Sequence, residues 1–118
     1  MASDSMIDKL IDELELLERH IMMLKATKEN QPIGIIRLSE ILNIPKHKVR
    51  YSLRVLEQEG LISPSIEGAR VTDQYDEYLK NVSHDLEIIM VMVERLKKKL
   101  PEATQFDNYF ASSPDGHL

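Results

Sequence analysis

Apolar residues recur along most of this chain at helical spacing, and the places where that rhythm breaks divide it into elements. Ile7, Leu10, Leu14, Leu17, Ile21 and Leu24 alternate in steps of three and four, a heptad seam. Asp4 or Ser5 caps this first helix, which is expected to run to about Glu29. Ile11, Met22 and Met23 widen the seam, so burial on more than one stripe is expected, and Asn30-Gln31-Pro32 ends the helix. Ile33-Gly34-Ile35-Ile36 reads as a short strand, with Arg37 leading onward. Leu38, Ile41 and Leu42 then share a face of a short helix, which Asn43-Ile44-Pro45 breaks. Proline disfavours helix in the residue before it and fits the first turn of the next. In that next helix Val49, Leu53 and Leu56 point inward, and Gly60 supplies a left-handed stop. Two short stretches around Gly68, Leu61–Ser65 and Ala69–Thr72, predict a small hairpin. The Ile33–Ile36 strand is expected to pair with it.

The polar side of the helix 45–59 carries the functional signal. At about 100° per residue, His47, Tyr51 and Arg54 lie opposite the apolar side, flanked by Lys48 and Arg50, with Lys46 at the start. No acid occurs from Ile41 to Leu56, although the chain has 20 acids against 15 bases and a net charge of −5. A locally basic helix on an acidic protein suits a major groove: Lys and Arg neutralise phosphates, and Arg, His and Tyr reach base edges. The plainer alternative is a solvated surface helix that happens to be basic.

The stretch LSEILNIPKHKVRYSLRVLEQEGLI, followed by GARVTDQYDEYL, resembles the winged helix-turn-helix of the MarR and PadR classes of prokaryotic transcription regulators. There the recognition helix ends in a leucine, a glutamate-rich pair, glycine and leucine. The second wing strand leads through a threonine into the next helix, as Val71-Thr72-Asp73 does here. The resemblance covers the middle third of the chain. It implies a mainly α fold with a small β-wing, flanked by long terminal helices. It departs in its wing, which is short and offers only Arg70 as a base, against Glu67. Such a wing makes a minor DNA contact. The resemblance further implies a small-molecule effector site between the terminal helices and the winged helix. Tyr75 and Tyr78 are candidates to line it, with packing in the core as the alternative, and no residue identifies an effector.

After the hairpin, Thr72 or Asp73 caps a long helix that Pro101 stops. Tyr75, Leu79, Val82, Leu86, Ile89, Val93, Leu96 and Leu100 follow a four-three alternation over nearly four heptads, a coiled-coil signal. Ile88, Met90, Val91 and Met92 make its middle apolar nearly all round, which a lone helix does not keep in water. Asp76 and Asp85 border the first half of the seam, and Lys97 and Lys99 its end. Antiparallel self-pairing sets acids opposite lysines, whereas parallel pairing stacks like charges. The expectation is a homodimer through Leu79, Val82, Leu86, Ile89, Val93 and Leu96 of this helix and Leu10, Leu14, Leu17 and Ile21 of the first. An intramolecular helix pair in a monomer is the alternative.

Composition narrows the classes. A hydrophobic share of 42% supports a core, and the absence of cysteine excludes disulfides and thiolate metal sites. No apolar run approaches a membrane span, and MASDSMIDKL lacks the features of a signal peptide, so a cytoplasmic protein is expected. Residues 32–72 carry a net +2, whereas 1–31 carry −3 and 73–118 carry −4. Local sign, more than overall balance, steers a polyanion. No phosphate loop, nucleophile elbow or paired His-Glu motif is present, and His20, His47, His84 and His117 are scattered, so neither an enzyme nor a metal or cofactor site is expected.

The chain thus divides into an N-terminal dimerisation helix (1–31), a DNA-binding segment (32–72), a C-terminal coiled-coil helix (73–100) and a tail (101–118). The tail is expected to be disordered beyond Phe110, with Phe106–Phe110 either docked or loosely packed. The favoured function is a sequence-specific, double-stranded-DNA-binding regulator. Lys46, Lys48 and Arg50 are assigned to phosphates, His47, Tyr51 and Arg54 to bases, and Arg70 to the wing contact. A winged-helix assembly module without DNA binding is the alternative.

Overall fold

The computed structural model describes residues 5–101. The order is α1 (Met6–Asn30), α2 (Ile35–Leu42), α3 (Lys46–Gln58), β1 (Ile62–Ser63), β2 (Arg70–Val71) and α4 (Tyr75–Lys99). The molecule is therefore mainly helical with one two-stranded antiparallel sheet, in which Ile62 pairs with Val71 and Ser63 with Arg70. The expected tail beyond Pro101, with its Phe106–Phe110 cluster, lies outside the described residues.

Two compact units are distinguished, Met1–Leu79 and Lys80–Leu118. The core of the first is built where the carboxy-terminal half of α1 meets α2, α3 and the sheet. Met23 and Leu24 of α1, Leu38 of α2, and Val49 and Leu56 of α3 are fully enclosed. Burying each such side chain stabilises the fold by roughly 1.5–3 kcal/mol. Ala26, Ile33, Leu53, Leu61, Ile62 and Ala69 complete the cluster, and Tyr75 and Tyr78, partly buried, pack against it. By contacts the chain divides after Leu79, within α4. The end of α1 and the start of α4 are bonded into the same body as the segment between them.

One expected element is different. Ile33 to Ile36 do not form a strand: Ile33 makes a single antiparallel bridge to Ala69, and the helix begins at Ile35. The reason is periodicity. Ile35, Leu38 and Leu42 reach the core at helical spacing, while Ile36 is 61% exposed. The first helical bond, from Leu38 N–H to Gly34 O, closes at 3.1 Å. Asn43, in the left-handed region at φ 54°, ends α2. Gly60, at φ 76°, ends α3 by the expected cap: its N–H bonds Glu57 O at 3.0 Å, and Leu61 N–H bonds Leu56 O at 2.9 Å.

Besides the Ile33–Ala69 bridge, side chains fasten the hairpin to the body at two points. Thr72 Oγ1 donates to Gly60 O at 2.7 Å, and Val71 N–H donates to Gln31 Oε1 at 2.8 Å. At Gly68, φ 134°, a Cβ would lie 2.7 Å from the Ile33 backbone, so only glycine permits the bridge between Ile33 and Ala69.

In the second unit, α4 from Lys80 on has no buried residue. Val82 and Leu86 are half-buried, whereas Ile89, Val93 and Leu96 are exposed. The exposed half of α1 is similar in character: Leu10 and Leu14 lie open, and Leu17 and Ile21 are half-buried. Both expected dimer seams are thus available as apolar surface. No helix among the described residues is long and apolar enough to cross a membrane.

Candidate nucleic-acid interface

The side chains expected to touch DNA stand on a helix held from behind. Val49, Leu53 and Leu56 anchor α3 in the core, and Lys46, His47, Lys48, Arg50, Tyr51 and Arg54 are all exposed. Among the described residues, salt bridges join only Arg37 to Glu40 (3.6 Å) and Arg70 to Glu67 (3.9 Å). Lys46, Lys48, Arg50 and Arg54 therefore present four cations without an acidic partner in the described structure. Arg70 lies on the hairpin, 3.9 Å from Glu67.

The later start of α2 adds a feature that periodicity alone missed. A groove runs between the first turn of α2 and α3, lined by Gly34, Ile35, Ile36, Arg37, Glu40, Lys46 and Arg50. Gly34 is the N-cap and offers no side-chain acceptor, and no acid sits in this first turn. The leading amides of a helix lack internal partners and carry its positive dipole end. Pro45 likewise leaves the α3 amino terminus without a side-chain cap or an acid. The contrast within the chain is informative. Ser5 Oγ caps α1 by accepting from Asp8 N–H at 3.0 Å, and α4 has Asp76 and Glu77 in its first turn. Among the described helices only α2 and α3 have neither a side-chain cap nor an acid in the first turn, and both ends adjoin Lys46.

The other flank of α3 meets α1. A second groove carries Asp12, Glu13, Glu15 and Glu18 of α1 opposite Asn43, Pro45 and Lys48. These acids bound the cationic surface on one side. Closer to the core, Tyr51 has neighbours that the sequence did not show. It is half-exposed, but its ring lies against His20 of α1, with centroids 6.3 Å apart, and Arg19 sits 5.8 Å from its centroid. The helical wheel gave Tyr51 an outward direction without showing that α1 would stand beside it.

His20, read from the sequence as one of four scattered histidines, is buried. Its Nδ1 is 2.9 Å from Ser52 Oγ, and Arg19 Nε donates to the same oxygen at 3.0 Å. Burial, then the Arg19 charge, holds the imidazole below its ordinary range, with Glu59 and Glu13 opposing. No sequence signal pointed to this cluster, because its members are 32 and 33 residues apart. Burial also raises Tyr78, with Glu59 adding to it, and raises Tyr75, with Asp76 and Glu29 adding.

Among the described residues no three His, Asp or Glu side chains converge as metal ligands. The chain matches no protein-family model and shows no significant similarity to a curated protein.

Proposed function

We propose that this chain is a winged helix-turn-helix regulator that binds double-stranded DNA sequence-specifically as a homodimer. The observation that carries this reading is the set of four exposed cations on α3, none in a salt bridge among the described residues, on a chain of net charge −5. Retaining unpaired charge of one sign on a firmly packed helix gains nothing for the fold and suits a polyanion. In this reading α3 enters the major groove. Lys46, Lys48 and Arg50 contact phosphates together with the first-turn amides of α2, and His47 and Arg54 reach bases. Two copies joined through α1 and α4 would read half-sites about one helical turn apart, or a multiple of it. The exposed apolar surface of α4, with Met90 and Val91 each 62% exposed, supports the pairing.

The test is selection of bound fragments from a random duplex library, followed by titration of the winner against salt. With about three phosphate contacts per protomer, the expected slope of log K against log salt is roughly −5 for a dimer. Arg50→Ala with Arg54→Ala should abolish selective binding while leaving the fold intact. Failure to enrich any sequence at low salt refutes the regulator. Loss of a protein partner in the same double variant, with no DNA binding in the parent, would favour the assembly module.

A further inference from the structure

The buried side of α3 is apolar except at Ser52, which has no exposed surface. Its hydroxyl is the meeting point of two side chains from α1, Arg19 Nε at 3.0 Å and His20 Nδ1 at 2.9 Å. A serine hydroxyl has one hydrogen to give. In the tautomer with Nδ1 unprotonated, that hydrogen goes to His20 Nδ1, which accepts only while the imidazole is neutral. The relay from Arg19 through Ser52 to His20 is then complete. Next to it, the Tyr51 ring rests against both His20 and Arg19. Two consecutive residues of α1 therefore grip two consecutive residues of α3, one position from Arg50 and two from Arg54.

We propose that Arg19 and His20 are positioning residues for α3, setting its roll through Ser52 and Tyr51 and so fixing where Arg50 and Arg54 meet the duplex. This rests on the DNA-binding reading above. It also makes Tyr51 a strut against α1 in place of a base reader. Protonating His20 turns Nδ1 into a donor, so two cationic groups then aim hydrogens at one oxygen. The groups facing the imidazole are Arg19 and Glu13 on α1, the Tyr51 ring on α3, and Glu59 at the end of α3. Burial and Arg19 favour the neutral form, and the two glutamates oppose them. The charged form opens the relay and frees α3 to roll.

The experiment uses the full chain in two arms. In the first, backbone amide resonances of Arg50, Ser52 and Arg54 are followed against pH by NMR without DNA. They should move with the titration of His20 and lose that movement in His20→Gln. Amides that ignore His20 overturn the proposal, whatever DNA does. In the second arm, affinity for a selected duplex relative to random duplex is compared at about pH 8 and about pH 5.5. The wild-type ratio should fall roughly fivefold more than that of His20→Gln, the two proteins differing at that position alone. Equal falls overturn the coupling. Tyr51→Phe should keep the selectivity that Tyr51→Ala loses, and a Phe variant as poor as the Ala variant overturns the strut. If the amides titrate as expected but no duplex is bound, the positioning of α3 stands and the regulator reading fails.

Discussion

Replacing Gly34 with aspartate should make the protein more stable and a poorer DNA binder. Gly34 is the N-cap of α2 at φ −98° and ψ 176°, a conformation any residue adopts, and a Cβ there would have nothing within 4 Å. An aspartate can therefore enter without strain and accept a hydrogen bond from the first turn. Aspartate exceeds glycine as an N-cap by a few tenths of a kcal/mol, or about 0.3. Its charge at the dipole end adds about 0.3–1 kcal/mol. Loss of glycine's freedom in the unfolded chain adds about 0.4–1 kcal/mol. Since these contributions overlap, a gain of about 1 kcal/mol is expected, which raises the Tm of a domain this size by about 4–8 °C. The same carboxylate takes the amides proposed for phosphate and stands in the groove beside Lys46 and Arg50. A charge-assisted contact is worth about 1.5–3 kcal/mol, so affinity should fall at least about tenfold per protomer. The salt slope should also become shallower by about 2 for a dimer. Gly34→Asn separates cap from charge: it should gain similar stability and lose less affinity. Thermal unfolding at one protein concentration and a salt titration of duplex binding measure both sides. An aspartate variant that is stabilised yet binds with unchanged affinity and slope would show that no phosphate sits at the start of α2.

Leu56→Ala, at a fully enclosed site, should cost about 2–5 kcal/mol in urea unfolding, and a loss under 1 kcal/mol, or about that, would contradict the packing of α3. Gly68→Ala, at φ 134° and against the Ile33 backbone, should cost about 1–3 kcal/mol and weaken hydrogen-exchange protection at Ala69 N–H; an unchanged Tm would rule out the close approach. Ile89→Asp with Val93→Asp should convert a dimer to a monomer by sedimentation while the Met1–Leu79 unit stays folded, and a persistent dimer would place the interface elsewhere. His20 is held below its ordinary value in the folded chain, so between that value and about 6.5 the unfolded chain binds the proton first. Its contribution is present above that range and is lost as pH falls through the lowered folded value. Urea midpoints across this window should drop more for wild type than for His20→Gln, and parallel curves would refute the assignment.

What could be read from the chain followed the length of each pattern. Six apolar positions over Ile7–Leu24 and eight over Tyr75–Leu100 leave no choice but helix, and Gly60 marks a left-handed stop that other residues resist. Three isoleucines around Gly34 suit a strand and a helix equally, and only the register of Leu38 and Leu42 decides. Side-chain directions on α3 followed from the wheel, and Lys46, Lys48, Arg50 and Arg54 stand where it puts them. Neighbours did not follow. Tyr51, Ser52, His20 and Arg19 meet only because α1 folds back across α3, and no local pattern encodes a contact between helices so far apart in sequence. The groove at Gly34 was hidden for a related reason, since it exists only once the helix is known to begin at Ile35.

The helix that grips α3 does not end there. From Asn30, through His20 and Arg19, α1 continues unbroken to Met6, 25 residues or about 37 Å of stiff rod. A rod transmits tilt. Whatever seizes its free end therefore has mechanical purchase on the angle at which the cationic helix is offered, through the enclosed Met23 and Leu24 that seat the rod in the core. If the chain is the dimeric DNA binder proposed above, distance between the two α3 helices and the aim of each become one adjustable quantity, and operators with altered spacing should then be discriminated as sharply as operators with altered bases.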